Sequence, residues 1–227
     1  MTVTLLDPPP APRRVEIAGA ISRGDGALYL GTTPWRRSIT GRWPVGVVVT
    51  SGDVQSRPVA PYWAVVLREN GRWEMVRQSE IASRLNPDPT REAPLPGDIH
   101  LAVGGFYPLI AEGRAVARAF PGGSIRAPRL AIGGTDGTPG TEGDDPRLVI
   151  VTSGIGAGGG LTTEELARVL LPYELDWALN LDGGRSAYLR VPGGQVHPRG
   201  VWFRRRGPVM LRVLPPASPL LRREMVE

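Results

Sequence analysis

Apolar and polar or small residues alternate from Trp177 to Asp182, so Trp177, Leu179 and Leu181 fall on one side of a strand and Ala178, Asn180 and Asp182 on the other. Ala187, Leu189 and Val191 resume the alternation after Gly183-Gly184, and the glycines supply the backbone freedom of a turn, which predicts a hairpin. A two-residue loop would mix the faces. A loop of Gly183, Gly184 and Arg185 pairs Leu181 with Ala187 and Leu179 with Leu189, and sets Asp182 beside Ser186 and Asn180 beside Tyr188. The expected result is one apolar face for the core and one polar face beside a glycine-rich tip, where main-chain N–H groups could approach an anion. The same pattern suits an ordinary hairpin whose Asp182 caps its own turn.

Elsewhere the pattern predicts strands at residues 15–20, 27–30 and 45–50, then a hairpin of 62–68 and 73–77 joined by Asn70-Gly71. A short helix is expected over 79–85, with Ser79 as N-cap and Ile81, Ala82 and Leu85 buried. A proline-rich loop, 86–97, leads to strands at 99–103 and 107–111, separated by Gly104-Gly105. Strands at 129–132 and 147–152 flank an acidic, glycine-rich loop, 133–146, which lacks calcium-loop spacing. After a glycine run ending at Gly160, Thr162 and Glu165 form a capping box, Leu161 and Leu166 a hydrophobic staple, and Leu166, Val169, Leu170 and Tyr173 one helical face, with Pro172 limiting the end. The glycine run either holds an anion at the helix start or only permits a tight turn. Strands at 201–204 and 209–214 close the pattern. These elements predict an α+β fold: a single β-rich domain with a mixed or antiparallel sheet and one or two helices. Its expected limits are 15–214, with an extended proline-rich arm at 1–14 and a C-terminal tail at 215–227.

Composition narrows the chemistry. With 30 glycines, 24 prolines and 41% hydrophobic residues among 227, the chain reads as a folded protein of many short elements. All 27 basic residues are arginine, and the net charge of +5 would tolerate an anionic partner. The basic residues are scattered, and the run Arg204 to Arg206 reads as a solvated strand end, so nucleic acid is not the expected partner. Without cysteine there are no disulfides or thiolate zinc sites, and two histidines make a histidine metal cluster an unlikely expectation. No metal or cofactor is therefore expected. No basic n-region precedes a long apolar run, so neither a secretory signal nor a membrane span is expected. The expected location is therefore the cytoplasm, or an assembly released without such a signal.

Several segments, taken in order over roughly residues 99–214, resemble the phosphodiester glycosidase family. Val103-Gly104-Gly105-Phe106-Tyr107 is similar to that family's Asn-Gly-Gly-Phe-Phe segment, and Arg129-Leu130-Ala131-Ile132-Gly133 to its Arg-Thr-Ala-Ile-Gly strand. Residues 158–170 resemble its Gly-Leu-Thr, Glu-Leu-Ala helix, and 178–186 its Ala-Leu-Asn-Leu-Asp-Gly-Gly-Gly-Ser-Ser hallmark. Three positions depart from it: Val103 replaces the asparagine, Arg185 the third hallmark glycine and Ala187 the second serine.

The resemblance implies hydrolysis of the glycosidic bond of a sugar 1-phosphodiester or related glycan. It makes Asp182 the catalytic candidate, as base or nucleophile at the anomeric carbon. Arg129 would clamp the phosphate through its planar fork, Gly183 and Gly184 would offer main-chain donors, and Asn180 and Ser186 would orient hydroxyls or the carboxylate. Gly105 and Arg185 complete the implied substrate-binding set. Asp53 and Glu112 are candidates for a partner carboxylate. The alternative from another class is a non-catalytic glycan-binding or structural component, for example of a virion or tail assembly, built on the same fold. A homo-oligomer or larger assembly is compatible with either.

Overall fold

The computed structural model describes residues 2–6, 15–18, 28–31, 35–38, 41–84, 99–117, 123–136, 148–153, 160–184, 187, 189–190, 196–197 and 210–213. Among these, every strand pairing is antiparallel. The first sheet has six strands. They are β1 (Thr2–Leu6), β11 (Pro108–Ala111), β12 (Arg114–Ala115), β13 (Arg129–Gly134), β14 (Leu148–Ser153) and β15 (Trp177–Asn180), in the order β1-β14-β13-β15-β11-β12. The second consists of β6 (Val48–Thr50), β7 (Asp53–Ser56), β8 (Trp63–Arg68), β9 (Trp73–Arg77) and β10 (Ile99–Gly104), ordered β7-β6-β10-β8-β9. A third sheet orders β17 (Val196–His197), β16 (Leu189–Arg190), β3 (Leu28–Gly31), β18 (Met210–Val213) and β2 (Val15–Ala18). The strands β4 (Trp35–Ser38) and β5 (Gly41–Pro44) pair with each other. Two helices, α1 (Gln78–Arg84) and α2 (Thr163–Leu170), complete a β-rich α+β domain.

Alternation explains the layers. On β8, Trp63, Val65 and Leu67 face the first sheet and join Leu130, Ile132, Ile150, Trp177 and Leu179 in one core. Its other face, Ala64 and Val66, packs with Val47, Val49 and Ile81 of α1. On the far side of the first sheet, Ala131, Val149, Val151 and Ala178 meet Leu166, Ala167 and Leu170 of α2. The central strands are therefore covered on both faces, in the layer order α1, second sheet, first sheet, α2.

The Asn70-Gly71 hairpin forms as predicted: Trp63 pairs with Arg77 and Leu67 with Trp73, and Gly71 takes φ +85°. Similar turns at Ser51-Gly52 and Glu112-Gly113, all at positive φ, close two hairpins whose second strands, β7 and β12, the pattern did not announce. The strands at 129–132 and 147–152 pair as a hairpin, with β13 extended through Gly134. The expected arm contributes Thr2–Leu6 as the edge strand beside β14. The strand expected at 201–204 lies outside the described residues.

The hairpin predicted after Asp182 does not form. Strand β15 is buried along its whole length, and its edges are taken by β13 and β11. No edge remains for the following segment, which crosses to the third sheet, where Leu189 pairs with Leu30 of β3. Gly183 and Gly184 make the exit turn between sheets, with Gly184 at φ +60° and its N–H donating to the Pro128 carbonyl at 2.8 Å.

Helix α1 begins one residue before the expected cap, so Ser79 lies in its first turn while Ile81 is buried as predicted. Its first residue, Gln78, is fully buried. Gln78 Oε1 accepts from the Val47 N–H (2.9 Å) and the Val59 N–H (2.8 Å), while Nε2 donates to the Trp63 carbonyl (3.0 Å). A Cβ on Gly104 would stand 2.9 Å from that Nε2, so the glycine makes room for the amide. No described helix is long and apolar enough to cross a membrane.

Candidate active site

Strands β13 and β15 pair Ala131 with Asn180 and Ile132 with Leu179. The Leu181 N–H, donating to the Leu130 carbonyl at 2.9 Å, continues that ladder past the end of β15. Two steps along the register from Ala131 and Asn180, Arg129 stands across from Asp182. On its other side Arg129 pairs with Ser153, the last residue of β14. One sheet end thus carries a row of hydroxyl, guanidinium and carboxylate, on the face that α2 covers. Asp182 lies beside Arg129, and the expected neighbour Ser186 is outside the described residues, as is Arg185. Asn180 lies beside Phe106 and Tyr107, and its expected neighbour Tyr188 is outside the described residues.

Arg129 is buried, at 6% exposure, and its guanidinium is held by main-chain oxygens. Nε donates to Leu161 (2.9 Å), and one Nη to Gly123 (3.3 Å) and to Ile125. Its own N–H donates to Ser153 Oγ at 2.9 Å. Burial lowers the guanidinium pKa from its ordinary value, yet arginine starts high enough to keep its charge. A Cβ on Gly183 would come 3.1 Å from the Pro128 carbonyl and 3.8 Å from Arg129 Cδ and Nη1. The glycine therefore lets the turn lie against the arginine. Gly184 commits its N–H to Pro128 and has open space around it.

Asn180, 2% exposed, has an amide oxygen with no hydrogen-bond partner among the described residues. A buried acceptor without a donor is costly, and such an atom at a sheet end is a natural contact for a ligand hydroxyl. Its main chain accepts from Phe106 N–H (2.9 Å) and donates to the Tyr107 carbonyl (3.1 Å), so two consecutive residues oppose one. Gly105 packs beneath: its N–H donates to the Trp63 carbonyl at 2.8 Å, and a Cβ would approach Leu179 Cδ2 to 2.7 Å and the main-chain oxygen of Asn180 to 2.9 Å. Gly105→Ala should therefore destabilise the fold by about 2 kcal/mol through overpacking. Urea unfolding checks this, and an unchanged midpoint would show that β15 yields freely.

Helix α2 starts beside Arg129. Its capping box is complete, with Thr162 Oγ1 accepting from Glu165 N–H (3.1 Å) and Glu165 accepting from Thr162 N–H (2.9 Å). The Thr162 N–H is the first cause that lowers the Glu165 pKa, and Arg126 pairs with the same carboxylate. Thr163 N–H donates to the Gly123 carbonyl at 3.0 Å, so the chain itself occupies much of the helix start at which the sequence allows an anion. The buried face of α2 is Thr163, Leu166, Ala167 and Leu170, with Val169 only half-buried.

The two candidate partner carboxylates are elsewhere. Glu112 follows Ala111, which pairs with Trp177, and so lies at the opposite end of β15 from Asp182. Asp53 is exposed at the edge of the second sheet. The hydroxyl of Ser153 was not anticipated. Its only sequence signal is its place at the end of a strand, just before a glycine run.

Sheet order, layers and site define a layered antiparallel α+β domain with a buried arginine and a carboxylate at a glycine turn. A phosphodiester glycosidase family model matches residues 21–213, and the chain belongs to that family. No curated protein sequence matches significantly. Among solved structures, the catalytic domain of zebrafish N-acetylglucosamine-1-phosphodiester alpha-N-acetylglucosaminidase, auto-inhibited by its pro-peptide, is similar with TM-score 0.56 at 14% identity, over 83% of this chain and 62% of that one. A protein from Synechocystis gives 0.57 at 14% identity, over 94% and 59%. A protein of Burkholderia pseudomallei K96243 gives 0.54 at 15%, over 90% and 72%. At these identities the likeness is one of fold, and the chain spans about three fifths of the length of the first two.

Proposed function

We propose that this protein hydrolyses the glycosidic bond of a sugar 1-phosphodiester at the end of the first sheet. The observation that carries the reading is the placement of Asp182 across from the buried Arg129, beside the Gly183-Gly184 turn. The Asp182 carboxylate serves as base or nucleophile at the anomeric carbon, whose bond to oxygen breaks with its electron pair leaving on the phosphate. A phosphomonoester departs readily, so the demand for a separate acid is small. Glu165 stands at the same end but is committed to the helix cap and Arg126. Arg129 supplies a fixed positive charge for the phosphate, and Asn180 with Ser186 orients sugar hydroxyls or the carboxylate.

Incubating the purified protein with a chromogenic sugar 1-phosphodiester tests the reading, since turnover releases free sugar and a phosphomonoester. Binding without turnover would favour a glycan-binding or structural component, a reading that Val103 and Arg185, at family asparagine and glycine positions, keep in play. Arg129→Lys should weaken binding of phosphate-bearing ligands about tenfold and cost about 2 kcal/mol of stability. An ammonium loses the planar fork and its bond to the Ile125 carbonyl, while the Leu161 and Gly123 carbonyls keep the main-chain donors Ala127 and Thr163. Calorimetry and urea unfolding read the two effects separately, and equal affinities would remove Arg129 from the phosphate site.

A further inference from the structure

Beside the charged row stands a group of rings that the hydrolytic reading does not use. Tyr62 packs edge-on against Phe106 (centroids 5.4 Å apart, planes at 84°) and against Tyr107 (5.7 Å, 85°). All three are half-buried, with part of each surface open to solvent. Phe106 and Tyr107 are tied by main-chain bonds to Asn180, two residues before Asp182 and so about 7 Å along the strand. Arg129 and Ser153 flank Asp182 from the opposite side, on β13 and β14. The row therefore has a cationic flank and an aromatic flank, with the carboxylate between them.

We propose that Tyr62, Phe106 and Tyr107 form the subsite for the pyranose ring, with the phosphate on the Arg129 side, an assignment that rests on the hydrolytic reading above. The C–H face of a pyranose carries partial positive charge and is attracted to the negative face of an aromatic ring. The edge-on packing of Tyr62 against each of the other two rings limits their motion, so little side-chain freedom is lost when a sugar stacks on them. Asn180, whose main chain is bonded to Phe106 and Tyr107, carries an amide oxygen with no hydrogen-bond partner among the described residues, and this oxygen supplies an acceptor for a sugar hydroxyl. Stacking provides most of the contact, and the single amide fixes orientation.

Tyr107→Leu and Tyr62→Leu keep an apolar side chain in place while removing the ring. Calorimetry on the full chain with N-acetylglucosamine 1-(methyl phosphate), and separately with inorganic phosphate, should show about tenfold weaker binding of the sugar ligand and unchanged binding of phosphate. In the parent protein, the ligand's ring C–H proton resonances should also shift upfield on binding. Folded leucine variants that bind the sugar ligand as the parent does, or ligand resonances that do not shift, would overturn the subsite and leave the hydrolytic reading standing. If the parent binds phosphate but hydrolyses no pyranose 1-phosphodiester, the hydrolytic reading fails and the subsite fails with it.

Discussion

Asp182→Asn should give a folded protein whose kcat is lower by about 10²- to 10⁴-fold, the range associated with loss of a positioned base. The amide keeps the shape of the side chain at the end of β15, so the Leu181–Leu130 ladder bond and the Gly184–Pro128 turn bond need not move. It cannot accept a proton from water or attack the anomeric carbon. Binding of a sugar 1-phosphodiester should survive, because Arg129 and the Gly183-Gly184 turn are untouched, so the loss should fall on kcat more than on KM. Steady-state kinetics with a thermal melt on the same sample checks both parts. Near-parental turnover in a folded Asn variant would exclude Asp182 from the chemistry.

The largest effect on stability is expected from Gln78→Leu, at about 3–5 kcal/mol. Leucine has similar volume, but it leaves the Val47 and Val59 N–H groups and one acceptor site on the Trp63 carbonyl without the amide that now joins them. Each buried polar group left unpaired costs about 1–3 kcal/mol. The same Trp63 carbonyl also accepts from Gly105, so the loss should reach the link between the sheets. Urea unfolding measures it, and a change below about 1 kcal/mol would mean that the three groups find other partners.

These two residues differ in how far the sequence reveals them. Alternation along residues 177–182 correctly assigned Trp177, Leu179 and Leu181 to the core side, because face depends only on the period of the chain. It did not tell which strands lie on either edge. Strand β15 pairs with β13 and β11, and between β13 and β15 the chain makes β14 and α2 before returning. No local pattern encodes such a long-range pairing. The local pattern of the glycines therefore suits a hairpin tip, whereas both edges of β15 are occupied and the turn leads to another sheet. The capping box of α2 was legible because both of its bonds join residues three apart.

For the site, Asp182, Asn180, Arg129 and the glycine turn could be named from the sequence, but their order across the sheet could not. Neither could the carbonyl cage around Arg129, since three of its oxygens belong to residues whose side chains play no part. Gln78 looked like a residue preceding a helix cap, and nothing in its neighbours marks a buried amide.

Hydrolysis at the glycosidic bond is tested most directly by following oxygen-18 from labelled water during turnover of an N-acetylglucosamine 1-phosphodiester. Attack at the anomeric carbon puts the label in the sugar hydroxyl and releases an unlabelled phosphomonoester. Label in the phosphate would mean cleavage of a phosphorus–oxygen bond, and a folded protein that releases no product would belong to a non-catalytic member of the fold; either result contradicts the account.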